Sequence, residues 1–171
     1  MKKKSLISIV TPFFNEEAVV TTFVETLSGT LKQTGQPFEL VCVDDGSTDA
    51  TFDTLTQLKA GVPEIRIIRL SRNFGKEHAL TAGLDFALGE VIIPMDADLQ
   101  DPPELIPALL SCWQQGFDVV LPRRGKRHAD SFLKRTTSSL FYKLHNRISD
   151  IQIPENVGDF RLITRKVLTE I

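Results

Sequence analysis

Val91-Ile92-Ile93-Pro94-Met95-Asp96-Ala97-Asp98-Leu99-Gln100-Asp101-Pro102-Pro103-Glu104 is the stretch that decides the fold. Its first part, Val91 to Met95, is apolar and reads as a buried strand. The paired prolines and the apolar-periodic segment behind them, Leu105 to Trp113, read as a helix start and a helix. Asp96 and Asp98 therefore sit one residue apart just past a strand end. In open α/β sheets, ligands bind outside the carboxyl ends of the strands. Carboxylates crowded there repel unless a cation lies between them, and hard cations such as Mg²⁺ share oxygen ligands with substrate phosphates. The stretch thus points to a divalent-metal site for a phosphorylated substrate. The plainer alternative is a polar loop with Asp101 as a helix cap.

Upstream, strand and helix alternate. Leu6 to Val10 reads as a strand stopped by Thr11-Pro12, with Asn15 capping a helix that carries Val19, Val20, Phe23, Val24, Leu27 and Leu31. Gly35-Gln36-Pro37 breaks that helix, and Phe38 to Val43 is apolar enough for a strand buried on both faces. Asp44-Asp45-Gly46-Ser47-Thr48-Asp49 then turns the chain and caps a helix with Phe52, Leu55 and Leu58. Ile65 to Leu70 is a third strand, Arg72 to Lys76 a loop, and Ala79 to Ala87 a helix ended by Gly89. Phe117 to Leu121 is a fifth strand. Crossovers of this length predict an α/β fold with a mainly parallel central sheet flanked by helices. The loops at Pro12 to Glu16, Asp44-Asp45 and Asp96-Asp98 then share one sheet edge and line one crevice. A carboxylate of the second loop can accept hydrogen bonds from a base or ribose, and those of the fourth can hold a metal bridging a diphosphate.

Beyond Pro122 the pattern changes. Arg123 to His128 is a basic loop, and a helix from Ser131 carries Lys134, Arg135, Lys143 and Arg147 beside an apolar stripe, which fits a surface lying against anionic lipid. Gly158 to Leu162 enters a short strand, and Thr164 to Ile171 starts a helix that reads as continuing into a longer protein.

Composition sets the limits. A chain of 171 residues with 42% apolar and 25% charged residues can build one domain with a core. A net charge of −2 gives no general attraction to nucleic acid. No apolar run is long enough to span a bilayer, and the apolar segment after Lys2-Lys3-Lys4 is too short for a signal peptide. The two cysteines, Cys42 and Cys112, lie far apart in apolar segments and read as buried thiols. His78 falls within a helix and reads as structural. There is neither a P-loop nor a Gly-x-Ser-x-Gly elbow.

Thr11-Pro12-Phe13-Phe14-Asn15-Glu16, Val43-Asp44-Asp45-Gly46-Ser47-Thr48-Asp49, Asn73-Phe74-Gly75-Lys76-Glu77, Met95 to Glu104 and Gly158-Asp159-Phe160-Arg161-Leu162, in that order, resemble a family 2 glycosyltransferase of the GT-A fold. Within it the chain is similar to the bacterial polyprenyl-phosphate glycosyltransferases related to dolichyl-phosphate mannose synthase. The resemblance covers nearly the whole chain and implies one catalytic domain over residues 1–171, continuing into C-terminal membrane helices, at the cytoplasmic face of the bacterial inner membrane. It implies a nucleotide-diphospho-sugar donor, with a UDP-sugar favoured, a polyprenyl phosphate acceptor, inversion, Mg²⁺ or Mn²⁺, and contact with a membrane surface; homo-oligomers are compatible. Pro12, Phe14, Glu16, Val43 and Asp45 would form the nucleoside pocket, where Phe14 replaces a frequent Tyr and loses its hydroxyl. Asp96, Ala97 and Asp98 would meet the sugar nucleotide, and Asp98, Gln100 and Asp96 would ligate the metal. Arg124 would neutralise the diphosphate, and Arg127, Lys134 or Arg135 the acceptor phosphate. Asp159 would be the active-site acid. Transfer to a saccharide hydroxyl, a nucleotidyltransferase on a similar scaffold and a non-catalytic nucleotide-binding module are the alternatives.

Overall fold

The computed structural model describes residues 4–122 and 160–170. The chain divides into two compact units, Met1–Leu121 with Asp159–Ile171, and Pro122–Gly158. The fold that follows belongs to the first. Its elements are β1 (Ile7–Phe13), α1 (Glu17–Gln33), β2 (Phe38–Asp44), α2 (Thr51–Gly61), β3 (Ile65–Arg69), α3 (Lys76–Phe86) and β4 (Val91–Pro94). A 3₁₀ turn (Pro103–Leu105), α4 (Ile106–Gln114), β5 (Val119–Val120), β6 (Leu162–Thr164) and α5 (Arg165–Leu168) complete it.

The sheet runs β3-β2-β1-β4-β6-β5. The first four strands are parallel, and β6 is antiparallel to both β4 and β5. The mainly parallel α/β fold expected from the sequence is the one found. The chain runs outward from β1 through β2 to β3, then returns to place β4 on the other side of β1. The carboxyl ends of β1 and β4 are therefore a topological switch point, where a crevice opens.

Side-chain alternation along the strands splits the core into two layers. Ile7, Ile9, Phe13, Leu40, Cys42 and Ile93 pack with Val20, Phe23, Val24, Leu27 and Leu31 of α1, Leu55 of α2 and Ile106, Leu109 and Leu110 of α4. Phe13 and Phe23 meet edge to face, with centroids 5.4 Å apart. On the other face Val10, Val41, Val43 and Ile92 pack against Ala79 and Leu80 of α3. α3 comes close because Gly83 has no side chain; a Cβ there would strike Val10 and Val43. Burial also pushes the Cys42 thiol up to about 12.

Pro12 does not stop β1, which continues to Phe13 with Pro12 opposite Val43. Ile7 N–H and Phe13 C=O both bond toward β2, whereas Val10 C=O accepts from Met95 N–H on the β4 side. By alternation the nitrogen of Pro12 faces the β4 side, where pairing ends at Val10 opposite Pro94. The missing N–H costs no ladder bond there. The fifth strand is also shorter than the expected Phe117 to Leu121, and the strand after Gly158 begins only at Leu162. Cys112 is half-buried rather than buried.

At the amino ends of the strands, away from the crevice, buried Glu39 ties the sheet together. It accepts hydrogen bonds from Ser8 Oγ at 2.5 Å, Arg66 Nη1 at 2.9 Å and Leu88 N–H at 2.6 Å.

Candidate active site

Four loops follow the carboxyl ends of β1 to β4, and each is fixed by hydrogen bonds to another. After β1, Asn15 adopts a left-handed backbone with φ 55°. Asn15 N–H donates to Ser47 Oγ at 3.0 Å, Glu16 N–H to Thr51 Oγ1 at 2.8 Å and Glu17 N–H to Asp49 Oδ2 at 3.2 Å. In return, Thr48 N–H donates to Asn15 Oδ1 at 2.9 Å and Ala50 N–H to Glu17 Oε2 at 2.9 Å. Asn15 therefore does not cap α1, as the sequence led us to expect. The Asn15, Glu16 and Glu17 amides that lead into α1 are satisfied by Ser47 and Asp49 of the β2–α2 loop and by Thr51 at the start of α2, which ties the two loops together.

The adjacent Asp44 and Asp45 have different work. Asp44 is fully buried, accepts Ser47 N–H at 3.1 Å through Oδ1, and has Arg69 Nε 3.2 Å from Oδ2. That second contact is a charge pairing without hydrogen-bond alignment. The Arg69 guanidinium also stacks 4.1 Å over the Phe52 ring. Asp45 turns the other way. Its Oδ1 accepts Phe74 N–H at 2.8 Å and its Oδ2 accepts Gly75 N–H at 2.9 Å. A single carboxylate thus clamps the β3–α3 loop. Gly46 makes room for it: with φ 70°, a Cβ here would lie 2.5 Å from the Arg72 carbonyl carbon and 2.8 Å from Asn73 N. Arg72 in turn stacks 4.6 Å over the half-exposed Phe74 ring.

After β4, Asp98 Oδ1 accepts Gln100 N–H at 3.0 Å across Leu99, whose φ is 54°. This local turn and its left-handed residue fix the chain between Asp98 and Gln100, two of the three expected metal ligands. Asp96 faces Lys76 Nζ, 2.9 Å from Oδ1 and 2.9 Å from Oδ2. Asp101 is buried, and the N-cap positions of the 3₁₀ turn and of α4 fall on Pro102 and Leu105.

These loops enclose a cleft of about 310 Å³ lined by Pro12, Phe13, Phe14, Glu16, Asp45, Asn73, Gly75, Lys76, Asp96, Ala97 and Asp98. Of the residues expected at the site, Pro12, Phe14, Glu16, Asp45, Asp96, Ala97 and Asp98 are brought together here. Val43 is not a wall of the cleft; its side chain is buried against α3. Gln100 is exposed beside the lining rather than part of it. Arg124, Arg127, Lys134, Arg135 and Asp159 lie outside the described residues. The sequence reading gave no role to Asn73, Gly75 or Lys76. Their signal was present in the turn glycine and the lysine that opens a helix on the same sheet edge.

Chemically, one end offers a half-exposed ring, Phe14, beside Pro12 and Glu16. The other offers two carboxylates, and among the described residues the cation that lines the cleft with them is Lys76. Among the described residues no group of three or more His, Cys, Asp or Glu side chains is placed to cage a metal. The donor chemistry still fits a hard divalent cation, because such ions take one or two carboxylates and complete their shell with water and substrate phosphate. That Asp96 already draws an ammonium across both oxygens shows its attraction for positive charge.

The family model for Glycosyl transferase family 2 matches residues 8–171. A prophage bactoprenol glucosyl transferase homolog of Escherichia coli (strain K12) is 48% identical over 165 residues, covering 96% of this chain and 54% of the relative. This chain thus spans about half the length of that relative. A mannosyltransferase from Pyrobaculum calidifontis, solved with GDP-Man and Mn²⁺, superposes with TM-score 0.66 at 20% identity, over 99% of this chain and 47% of the other. Glucosyl-3-phosphoglycerate synthase from Mycobacterium tuberculosis, solved with Mn²⁺, UDP and glucosyl-3-phosphoglycerate, does so with TM-score 0.67 at 24% identity, over 98% and 59%.

Proposed function

The chain belongs to glycosyl transferase family 2 and has the GT-A type of fold, and from that premise we propose that it transfers a sugar from a nucleotide-diphospho-sugar, a UDP-sugar first, to a polyprenyl phosphate at the cytoplasmic face of a membrane. One observation carries the donor half: a single cleft joins a Pro12–Phe14 platform to the Asp96–Asp98 pair. The acceptor half is supported by the name of the 48%-identical relative. Among the described residues no helix is long and apolar enough to cross a membrane.

The Phe14 ring offers its face to the base, and Glu16 lies beside it for polar contact. Asp45 holds the 72–75 loop as the wall of this pocket. Asp96 and Asp98, with Gln100 two residues further on, would hold Mg²⁺ or Mn²⁺, which when bound supplies positive charge against the departing diphosphate. In the reaction, an acceptor phosphate oxygen bonds to the anomeric carbon from the face opposite the leaving group. The bond from that carbon to the diphosphate oxygen breaks, and the nucleoside diphosphate leaves with the electron pair. A phosphate monoester is already ionised near neutral pH, its second pKa being about 6, so the attacking oxygen needs no general base. By the family resemblance, Asp159 would orient a sugar or acceptor hydroxyl, Arg124 would neutralise the diphosphate, and Arg127, Lys134 or Arg135 the acceptor phosphate; all five lie outside the described residues.

Calorimetric titration with UDP-glucose, UDP-N-acetylglucosamine and GDP-mannose, in Mn²⁺ and then in EDTA, tests the donor half. Binding of one donor that EDTA removes, and that Asp98→Asn weakens at least about tenfold, is expected, since a charge-assisted ligand contact of ~1.5 kcal/mol is lost. Unchanged binding by Asp98→Asn would take Asp98 out of the site. The acceptor half is tested by incubating the full-length protein with bound donor and undecaprenyl phosphate; no glycolipid product would refute it.

A further inference from the structure

Lys76 is the first residue of α3, and its ammonium reaches both carboxylate oxygens of Asp96. Its position is built. Gly75 immediately before it has φ 95°, and the Gly75 amide is held by Asp45. The helix therefore starts at a point set by the clamp, with Lys76 directed across the cleft to the loop after β4. Both side chains stay in contact with solvent, 43% and 35% exposed, and both line the cleft.

A cation lying across the two oxygens of a carboxylate covers the face that a divalent ion would coordinate. One carboxylate cannot give the same face to both. Lysine suits an exchangeable role, because its ammonium is a compact charge on a flexible stem with no fixed geometry to satisfy. In a cleft that takes a diphosphate, a displaced ammonium finds new anionic partners within the reach of the same side chain.

We propose that Lys76 is a positioning residue of the donor site that competes with the divalent cation for Asp96 and, once displaced, pairs with the donor's diphosphate. The inference rests on the donor reading above. It concerns ionic contacts only, and no covalent bond changes. Lys76 thereby opposes uptake of the cation alone and favours uptake of cation and nucleotide together.

The two halves predict effects of opposite sign, which a merely structural lysine would not give. Mn²⁺ binding is followed through the electron paramagnetic resonance signal of the free ion, for wild type, Lys76→Met and Lys76→Arg, each checked for folding by circular dichroism. Lys76→Met should bind Mn²⁺ alone about two- to fivefold more tightly, the scale set by loss of one part-exposed ion pair. At saturating Mn²⁺ it should bind UDP, and GDP in a parallel series, at least about fivefold more weakly, because a charge-assisted contact to phosphate is gone. Lys76→Arg should stay near wild type in both. Mn²⁺ affinity that is unchanged or lower in Lys76→Met, while wild type still takes up Mn²⁺ with nucleotide, overturns the role of Lys76 and leaves the donor reading standing. Wild type that takes up no Mn²⁺ with either nucleotide overturns both.

Discussion

Asp45→Asn separates two uses of one carboxylate. In the structure Asp45 is 2% exposed, and both its oxygens accept from backbone amides of the 72–75 loop, at 2.8 and 2.9 Å. Asparagine offers one acceptor oxygen; its NH₂ must face the second amide, donor against donor. A hydrogen bond to a charged group is worth about 1.5–3 kcal/mol, and stranding a buried donor costs about 1–3 kcal/mol. One bond survives in weaker, neutral form, so the expected loss is about 2–4 kcal/mol. For a domain of this size that lowers Tm by about 5–15 °C. Thermal unfolding of the two proteins in one buffer reads this directly. Nucleotide binding, titrated at a temperature where both are folded, should fall as well, because the pocket wall and the start of α3 are loosened together. The reasoning fails if Asp45→Asn melts within about 1 °C of wild type, a change too small for a lost clamp. Lost nucleotide binding at unchanged Tm would mean that the carboxylate serves the ligand and the loop does not depend on it.

Gly46→Ala should loosen the same loop from the other side. A left-handed alanine with its Cβ against the Arg72 and Asn73 backbone should cost about 1–3 kcal/mol and speed hydrogen exchange at the Phe74 and Gly75 amides; protection equal to wild type would contradict the close approach. Glu39 should contribute to acid stability. Burial acts to raise its pKa, but the Ser8 hydroxyl, the Leu88 amide and the Arg66 guanidinium outweigh burial and hold the carboxyl below the ordinary value of 4.5. A depressed folded pKa stabilises above the ordinary value and is lost as pH falls through the folded one. Urea unfolding from pH 7 to pH 3 should therefore show an acid-side decline that Glu39→Gln makes shallower; equal slopes would remove Glu39 from it.

The parallel sheet and the shared loop edge were legible because they rest on periodicity. Apolar strands such as Phe38 to Val43 and the helical spacing of Val20, Phe23, Val24, Leu27 and Leu31 are local signals, and βαβ handedness then brings the Asp45 and Asp96 loops together. What escaped was set by partners distant in sequence. Asn15 has the composition of a cap, yet its oxygen goes to Thr48, because the whole β2–α2 loop is folded against it. Nothing local shows that Pro12 lies where β4 has already left the sheet. Asp44 and Asp45 are identical side chains one residue apart; strand alternation buries the first against Arg69 and turns the second to the 72–75 loop. Parity also places the Val43 side chain outside the cleft lining, since it packs with α3 while Cys42 packs on the α1 face.

The contacts link the ends of the cleft through a short path. Asp45, at the pocket wall, fixes Gly75; Gly75 fixes the start of α3; Lys76, at that start, holds Asp96. Each step is a hydrogen bond or a peptide link between neighbours, so a base-side perturbation need not cross the core to reach the carboxylates. A double-mutant cycle makes the consequence measurable. If the path carries coupling, the Mn²⁺ gain from Lys76→Met should shrink in an Asp45→Asn background, because a loop released from Asp45 no longer presents Lys76 to Asp96. Additive effects on Mn²⁺ affinity, within about 0.3–0.5 kcal/mol, would mean that the pocket wall and the carboxylate end act independently despite their shared loop.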